Sequence, residues 1–242
     1  LKIGYDFFMT SPPLPIFLAL DDPDWDLGHV RRMAPQIAGV KLGMAFFYRL
    51  GPVGVQAIQE LGVPLFLDVK VHDIPNTAAA AVRALTALGA AYITLHAAGG
   101  MDMLRAARQA ADEEAAALNI APPRLLGVTV LTSMDQTTLG TVGIHGPLIH
   151  QVRRLADISG DAGLDGIVCS AMDLGGLSLP EDFLAVTPGI RLPGMAMDDQ
   201  VRTMTPGEAM TAGATHLVMG RPLLRAMDPL KVLSEIRRDM GL

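Results

Sequence analysis

Short apolar runs return along this chain at intervals, each followed by residues with helical spacing, and that alternation restricts the fold more than any other feature. Eight runs can be read: PIFLALD (15–21), GVKLGM (39–44), PLFLDVK (64–70), AYITLHA (91–97), LLGVTVLT (125–132), DGIVCSA (165–171), LAVTPGI (184–190) and THLVMGR (215–221). Between them lie helix-like stripes such as Ala80, Val82, Leu85 and Leu88, or Leu223, Leu224, Met227, Leu230 and Leu233. Strand-helix pairs in series signal βαβ units and a parallel sheet. Eight of them in 242 residues fit one α/β domain, a (β/α)8 barrel, which typically takes ~250 residues. An open, doubly wound sheet is the alternative. Its glycine-rich dinucleotide loop is missing after the first run, where LALDDPDWD stands. The barrel is expected over 15–242, behind an N-terminal extension at 1–14.

The formal charge of -6 leaves no basic face for a phosphate backbone, so nucleic acid is not an expected partner. Cys169 is the single cysteine, in the apolar run GIVCSA, which rules out an intrachain disulfide and suits a reducing, cytoplasmic setting. Its expected role is that of a small buried residue. Lys2 and Asp6 interrupt the N-terminus, so it does not read as a signal peptide, and no apolar stretch reaches membrane-span length. MTSPPLPIF from Met9 reads as a natural start, which would leave residues 1–8 ahead of it.

Polar residues gather where each run ends: Asp21 and Asp22, Asp68 and Lys70, His96, Thr132 and Ser133, Arg191, and Arg221. In a barrel these points share one face, the one that carries active sites. The third run is the most charged. Alternation along a strand puts Asp68 and Lys70 on one face, with Leu67, Val69 and Val71 on the other. Opposite charges about 4 Å apart attract by roughly 4 kcal/mol at an effective dielectric of 20, which makes such a cluster tolerable at the barrel mouth. Asp73 lies past the regular strand, where Pro75 and Asn76 begin a helix, so it is free to point elsewhere, even toward a neighbouring subunit.

A salt-bridge network that merely closes the barrel end would explain the triplet alone. The use of lysine argues otherwise. The chain has four lysines (Lys2, Lys41, Lys70 and Lys231) among 19 lysines and arginines, and two of the four lie inside predicted strands. A surface that favours arginine has thus reserved tunable ammonium groups for the places where proton transfer needs them.

DVKVHDIPNT resembles the Asp-x-Lys-x-x-Asp signature of the orotidine 5'-phosphate decarboxylase family, and the likeness extends over nearly the whole chain. It includes LALD (18–21), VKLGM (40–44), TLHAAGG (94–100), GVTVLTS (127–133), VTPGIR (186–191) and VMGRPL (218–223). The resemblance implies a barrel that removes carbon dioxide from orotidine monophosphate to give uridine monophosphate, with no cofactor and no metal. It makes Asp21 a ribose ligand and Lys41 a bridge from ribose to the charged cluster. Asp68 would sit beside the substrate carboxylate, Lys70 would deliver the proton, and Asp73 and Thr77 would reach across a homodimer interface into the partner's site. Thr132 or Ser133 would contact the pyrimidine. Gln200, Gly220 and Arg221 would grip the phosphate, with Arg191 at the root of a closing loop, RLPGMAMDD. LNIAPPR, before the fifth strand, is slightly long against the family pattern.

Other readings are weaker. A magnesium-dependent phosphosugar aldolase or decarboxylase shares the same frame, but magnesium favours carboxylate oxygens, and the second strand offers Lys41 instead. A catalytically inactive nucleotide-binding protein would keep the phosphate grip and lose part of the cluster, which is complete here. The six histidines (His29, His72, His96, His145, His150 and His216) lack zinc-ligand spacing. His96 reads as a strand-end residue and His72 as an orienting neighbour. Met195, Met197 and Met204 suit packing, and AAGG (97–100) suits a tight turn.

Overall fold

In the computed structural model, which describes residues 12–22, 24–192 and 203–242, eight parallel strands close into a barrel in sequence order. They are β1 (Leu14–Leu20), β2 (Ile37–Gly43), β3 (Leu65–Val71), β4 (Tyr92–His96), β5 (Arg124–Val128), β6 (Gly166–Val168), β7 (Leu184–Thr187) and β8 (His216–Met219). β8 pairs with β1 through Ile16, Phe17 and Leu18, leaving no edge strand. Around the barrel run α1 (Leu27–Met33), α2 (Met44–Gln59), α3 (Pro75–Ala87), α4 (Gly100–Leu118), α5 (Gln136–Thr141), α6 (Leu148–Asp161), α7 (Ala171–Leu174), α8 (Pro206–Thr211), α9 (Arg221–Leu224) and α10 (Pro229–Asp239). The expected extension lies outside the described residues up to position 11. No helix among the described residues is long and apolar enough to cross a membrane.

Alternation along the strands divides the core in two. Ile16, Leu18 and Leu20 of β1 join a large cluster shared with the helices, as do Leu65 and Leu67 of β3 and Ile93 and Leu95 of β4. The opposite faces supply Phe17, Phe66, Leu126 and Val186, with Tyr92 packed against them. Phe17 meets Phe66 and Tyr92 edge to face, at centroid distances of 5.1 and 4.8 Å, and stacks on His216 at 5.0 Å. Such pairs contribute about 0.5–1.5 kcal/mol each beyond buried area. A chain with only 5% Phe, Trp and Tyr has concentrated three of those rings, with His216 stacked on Phe17, in one plug that gives the site a solid floor. Burial holds the His216 pKa down and so favours the neutral ring. Another clamp ties α4, β5 and the start of β6 together: Asp165 accepts from Arg108 and Arg124, both at 3.0 Å, and from the Leu125 amide at 2.8 Å.

Several strands stop earlier than their apolar runs predict, for identifiable reasons. β7 ends at Thr187 because Pro188 has no amide hydrogen and Gly189 turns left-handed at φ 80°. β6 gives way to Ser170, whose hydroxyl accepts from the Met172 amide and caps α7. β8 stops so that Arg221 can open α9, and β5 stops at Val128, freeing the following residues to line a cavity. The helical stripes also need correction. α3 buries Ala78, Val82 and Leu85 while Ala80 is exposed, and Met227 is fully exposed in the turn before α10.

Candidate active site

The site grows out of an irregularity in β3. Phe66 and Leu67 pair with Tyr92 and Ile93, but the next registered pair is Val71 with Leu95. Three residues of β3, Asp68, Val69 and Lys70, therefore stand against the single β4 residue Thr94, a bulge of two extra residues. Within it Lys70 adopts φ 50°, in the left-handed region. Asp68 and Lys70 do face each other, with the Lys70 Nζ donating to Asp68 Oδ1 at 2.8 Å. Strict alternation is not what brings them together; a left-handed turn is.

Thr94 holds that turn. Its hydroxyl accepts from the Lys70 amide at 2.9 Å and donates to Asp68 Oδ1 at 3.0 Å. From β2, the Lys41 Nζ lies 3.0 Å from Asp68 Oδ2 and 3.2 Å from Asp21 Oδ1, at the end of β1. Lys41 is buried and Asp21 exposed, so the chain of charges runs from the barrel interior to the mouth. Burial alone would push the Asp68 carboxyl up, but Lys41 and Lys70 together hold it down at about 2. Burial likewise works against the Lys41 ammonium, and the attraction of Asp68 and Asp21 leaves its pKa raised. Gly43 makes room for this arrangement, since a Cβ there would lie 2.1 Å from Asp21 Oδ1.

These groups line a cavity of about 820 Å³ at the C-terminal end of the strands. Asp21, Lys41, Asp68, Lys70, Thr132, Ser133, Arg191, Gly220 and Arg221 all border it, as the sequence predicts. Arg221 opens α9 directly after β8, which pairs with β1 and is separated from β3 around the barrel by β1 and β2. Arg191 is anchored by its amide, which donates to Met204 O at 3.0 Å, and its guanidinium Nε is buried without a partner among the described residues. Gln200, Met195, Met197 and most of the loop after Arg191 lie outside the described residues.

Asp73 and Thr77 are not brought to this cavity by their own chain. Both are exposed, and the Asp73 carboxylate accepts from the Ile74 amide at 2.7 Å. His72 and His96 sit beside each other, ring centroids 5.2 Å apart, outside the cavity lining. Burial, then His72 and Lys70, lower the His96 pKa, which favours its neutral ring. Cys169 is buried and borders the cavity. Sequence reasoning missed Thr94, Gly43 and Trp25, the last of which lines the mouth. Trp25 carries a legible signal, as the only tryptophan, set in an acidic loop just after a strand.

The arrangement presents an anion pinned between two ammonium groups in a cavity that arginines also line. Residues 14–236 match the model of the orotidine 5'-phosphate decarboxylase / HUMPS family. The chain is 50% identical over 222 residues to an orotidine 5'-phosphate decarboxylase of Rhodospirillum rubrum, covering 89% of each chain. It is 44% identical over 232 residues to one of Paramagnetospirillum magneticum, covering 94% of this chain and 99% of the other. Among solved structures, the orotidine 5'-phosphate decarboxylase of Lactobacillus acidophilus superposes with a TM-score of 0.79 at 33% identity, over 96% of this chain and 100% of the other.

Proposed function

We propose a division of labour for the residues of this chain, which belongs to the orotidine 5'-phosphate decarboxylase / HUMPS family. The reaction is decarboxylation of orotidine 5'-monophosphate to uridine 5'-monophosphate, a step of pyrimidine biosynthesis. One observation carries the assignment of roles: both oxygens of Asp68 already accept from lysine ammonium groups, at 2.8 and 3.0 Å.

Loss of carbon dioxide leaves its bonding pair on C6, in the ring plane, where the π-system cannot delocalise it. Stabilisation must therefore come from charge placed beside that carbon. In our reading the Lys70 ammonium supplies it and then gives its proton to C6, recovering one from solvent afterwards. Asp68 fixes Lys70 and lies beside the departing carboxylate. Lys41 balances Asp68 and, with Asp21, meets the ribose. Thr132 or Ser133 meets the pyrimidine. Arg221, the Gly220 amide and Gln200 take the phosphate, with Arg191 at the root of the loop, so that binding energy remote from C6 supports the chemistry. This division of roles calls for no cofactor. A divalent cation at Asp68 would meet two ammonium groups, which disfavours the magnesium-dependent alternative.

Asp73 and Thr77 are assigned to the site of a second copy. What supports this is their exposure beside Ile74, an apolar side chain 68% exposed, together with their absence from their own chain's cavity. A homodimer with shared sites, working in the cytoplasm, is the corresponding expectation. The reaction itself is tested by incubating purified protein with orotidine monophosphate and identifying the product. Uridine monophosphate formed in step with carbon dioxide is expected; unchanged substrate would refute the reading.

A further inference from the structure

The bulge in β3 gives the Lys70 amide no strand partner, and a left-handed lysine is a conformation that costs about 1–2 kcal/mol. Something must hold it. Thr94 is fully buried, and alternation along β4 puts it on the same face as Tyr92, which packs against the inner cluster of Phe17 and Phe66. A buried hydroxyl is unfavourable there unless it is hydrogen-bonded. Both of its bonds go to the charged cluster: it accepts from the Lys70 amide at 2.9 Å and donates to Asp68 Oδ1 at 3.0 Å. Asp68 Oδ1 is the same oxygen that accepts from the Lys70 ammonium.

We propose that Thr94 is a positioning residue for the decarboxylation, fixing the Lys70 backbone and the Asp68 carboxylate in one rigid unit so that the ammonium stands at a set place beside the substrate carbon, in the plane of the ring. The inference rests on the roles assigned to Asp68 and Lys70. It differs from general support of the fold because the hydroxyl spans the two ends of the Asp68-Lys70 pair, and because the phosphate and ribose contacts lie on other strands.

The test compares Thr94→Val, which keeps the shape and removes the hydroxyl, with Thr94→Ser, which keeps the hydroxyl and removes a methyl. Since a misplacement of about 1 Å can cost about a hundredfold, kcat for Thr94→Val should fall by about that factor. KM and the affinity for uridine monophosphate should stay within about threefold, and Thr94→Ser should recover kcat to within about fivefold of wild type. Equal losses in Val and Ser, a kcat for Val within about threefold of wild type, or a parallel collapse of product affinity would overturn the proposal. Should Thr94→Val fail to fold, Thr94→Ala takes its place against Thr94→Ser, with the same outcomes deciding. Wild-type protein that leaves orotidine monophosphate untouched would refute the functional reading as well, whereas active wild type with an unimpaired Val variant removes only the role of Thr94.

Discussion

Asp68 is the residue on which the site balances, for its charge survives burial only because Lys41 and Lys70 hold it. Its carboxyl titrates at about 2 in the folded chain against an ordinary 3.8, so it stabilises the fold above the ordinary value and loses that contribution as the pH falls toward 2. The contribution amounts to roughly 2 kcal/mol. Unfolding measured across that interval should therefore be more steeply pH-dependent in wild type than in Asp68→Asn. Identical slopes would mean that the two lysines do not sustain the charge. Asp68, Lys70 and Lys41 were readable in the sequence because charges in an apolar strand violate its pattern and need a reason. Thr94 was not, since a threonine inside a strand is an ordinary β-former and its hydroxyl's partners are set by a register shift that no local signal announces.

At the scale of elements, alternation of apolar runs and helical stripes made all eight strands legible, and the polar residues at their ends fell on one face as the barrel requires. Strand ends were less legible, because capping by Ser170 and the turn at Pro188 and Gly189 compete with apolar character that continues past them. The bulge of β3 was hidden altogether: LFLDVKV looks like an uninterrupted strand until its pairing with β4 is known. α9 is the element that carries the assigned phosphate grip, through Arg221. Arg221→Ala should lower kcat/KM by roughly 2–4 kcal/mol with the full nucleotide. With a substrate lacking the phosphate, the loss should nearly vanish, because the interaction removed is the one that substrate cannot make. An equal loss on both substrates would instead indicate damage to the barrel end.

For the whole molecule, the proposed assignment of the exposed Asp73 and Thr77 to a second copy makes each site depend on two chains. Lys70→Ala and Asp73→Asn, each inactive alone, should complement when mixed. Random pairing makes about half the dimers hybrids, and a two-fold interface gives each hybrid one intact site, so about a quarter of wild-type activity should return. If sedimentation shows that subunits have exchanged and nothing returns, Asp73 serves its own chain. This level was legible only in part: the position of Asp73 beyond the strand could be read from its spacing, but the spacing carries no signal of what faces its exposed carboxylate. The central claim, that an Asp-Lys cluster performs the decarboxylation without an ion, is tested most directly by one assay. Protein stripped with EDTA is added to orotidine monophosphate beside Lys70→Ala, and the loss of substrate absorbance is followed. Undiminished turnover by the stripped wild type and none by Lys70→Ala is the expected result; turnover that returns only with added magnesium, or that survives in Lys70→Ala, would contradict it.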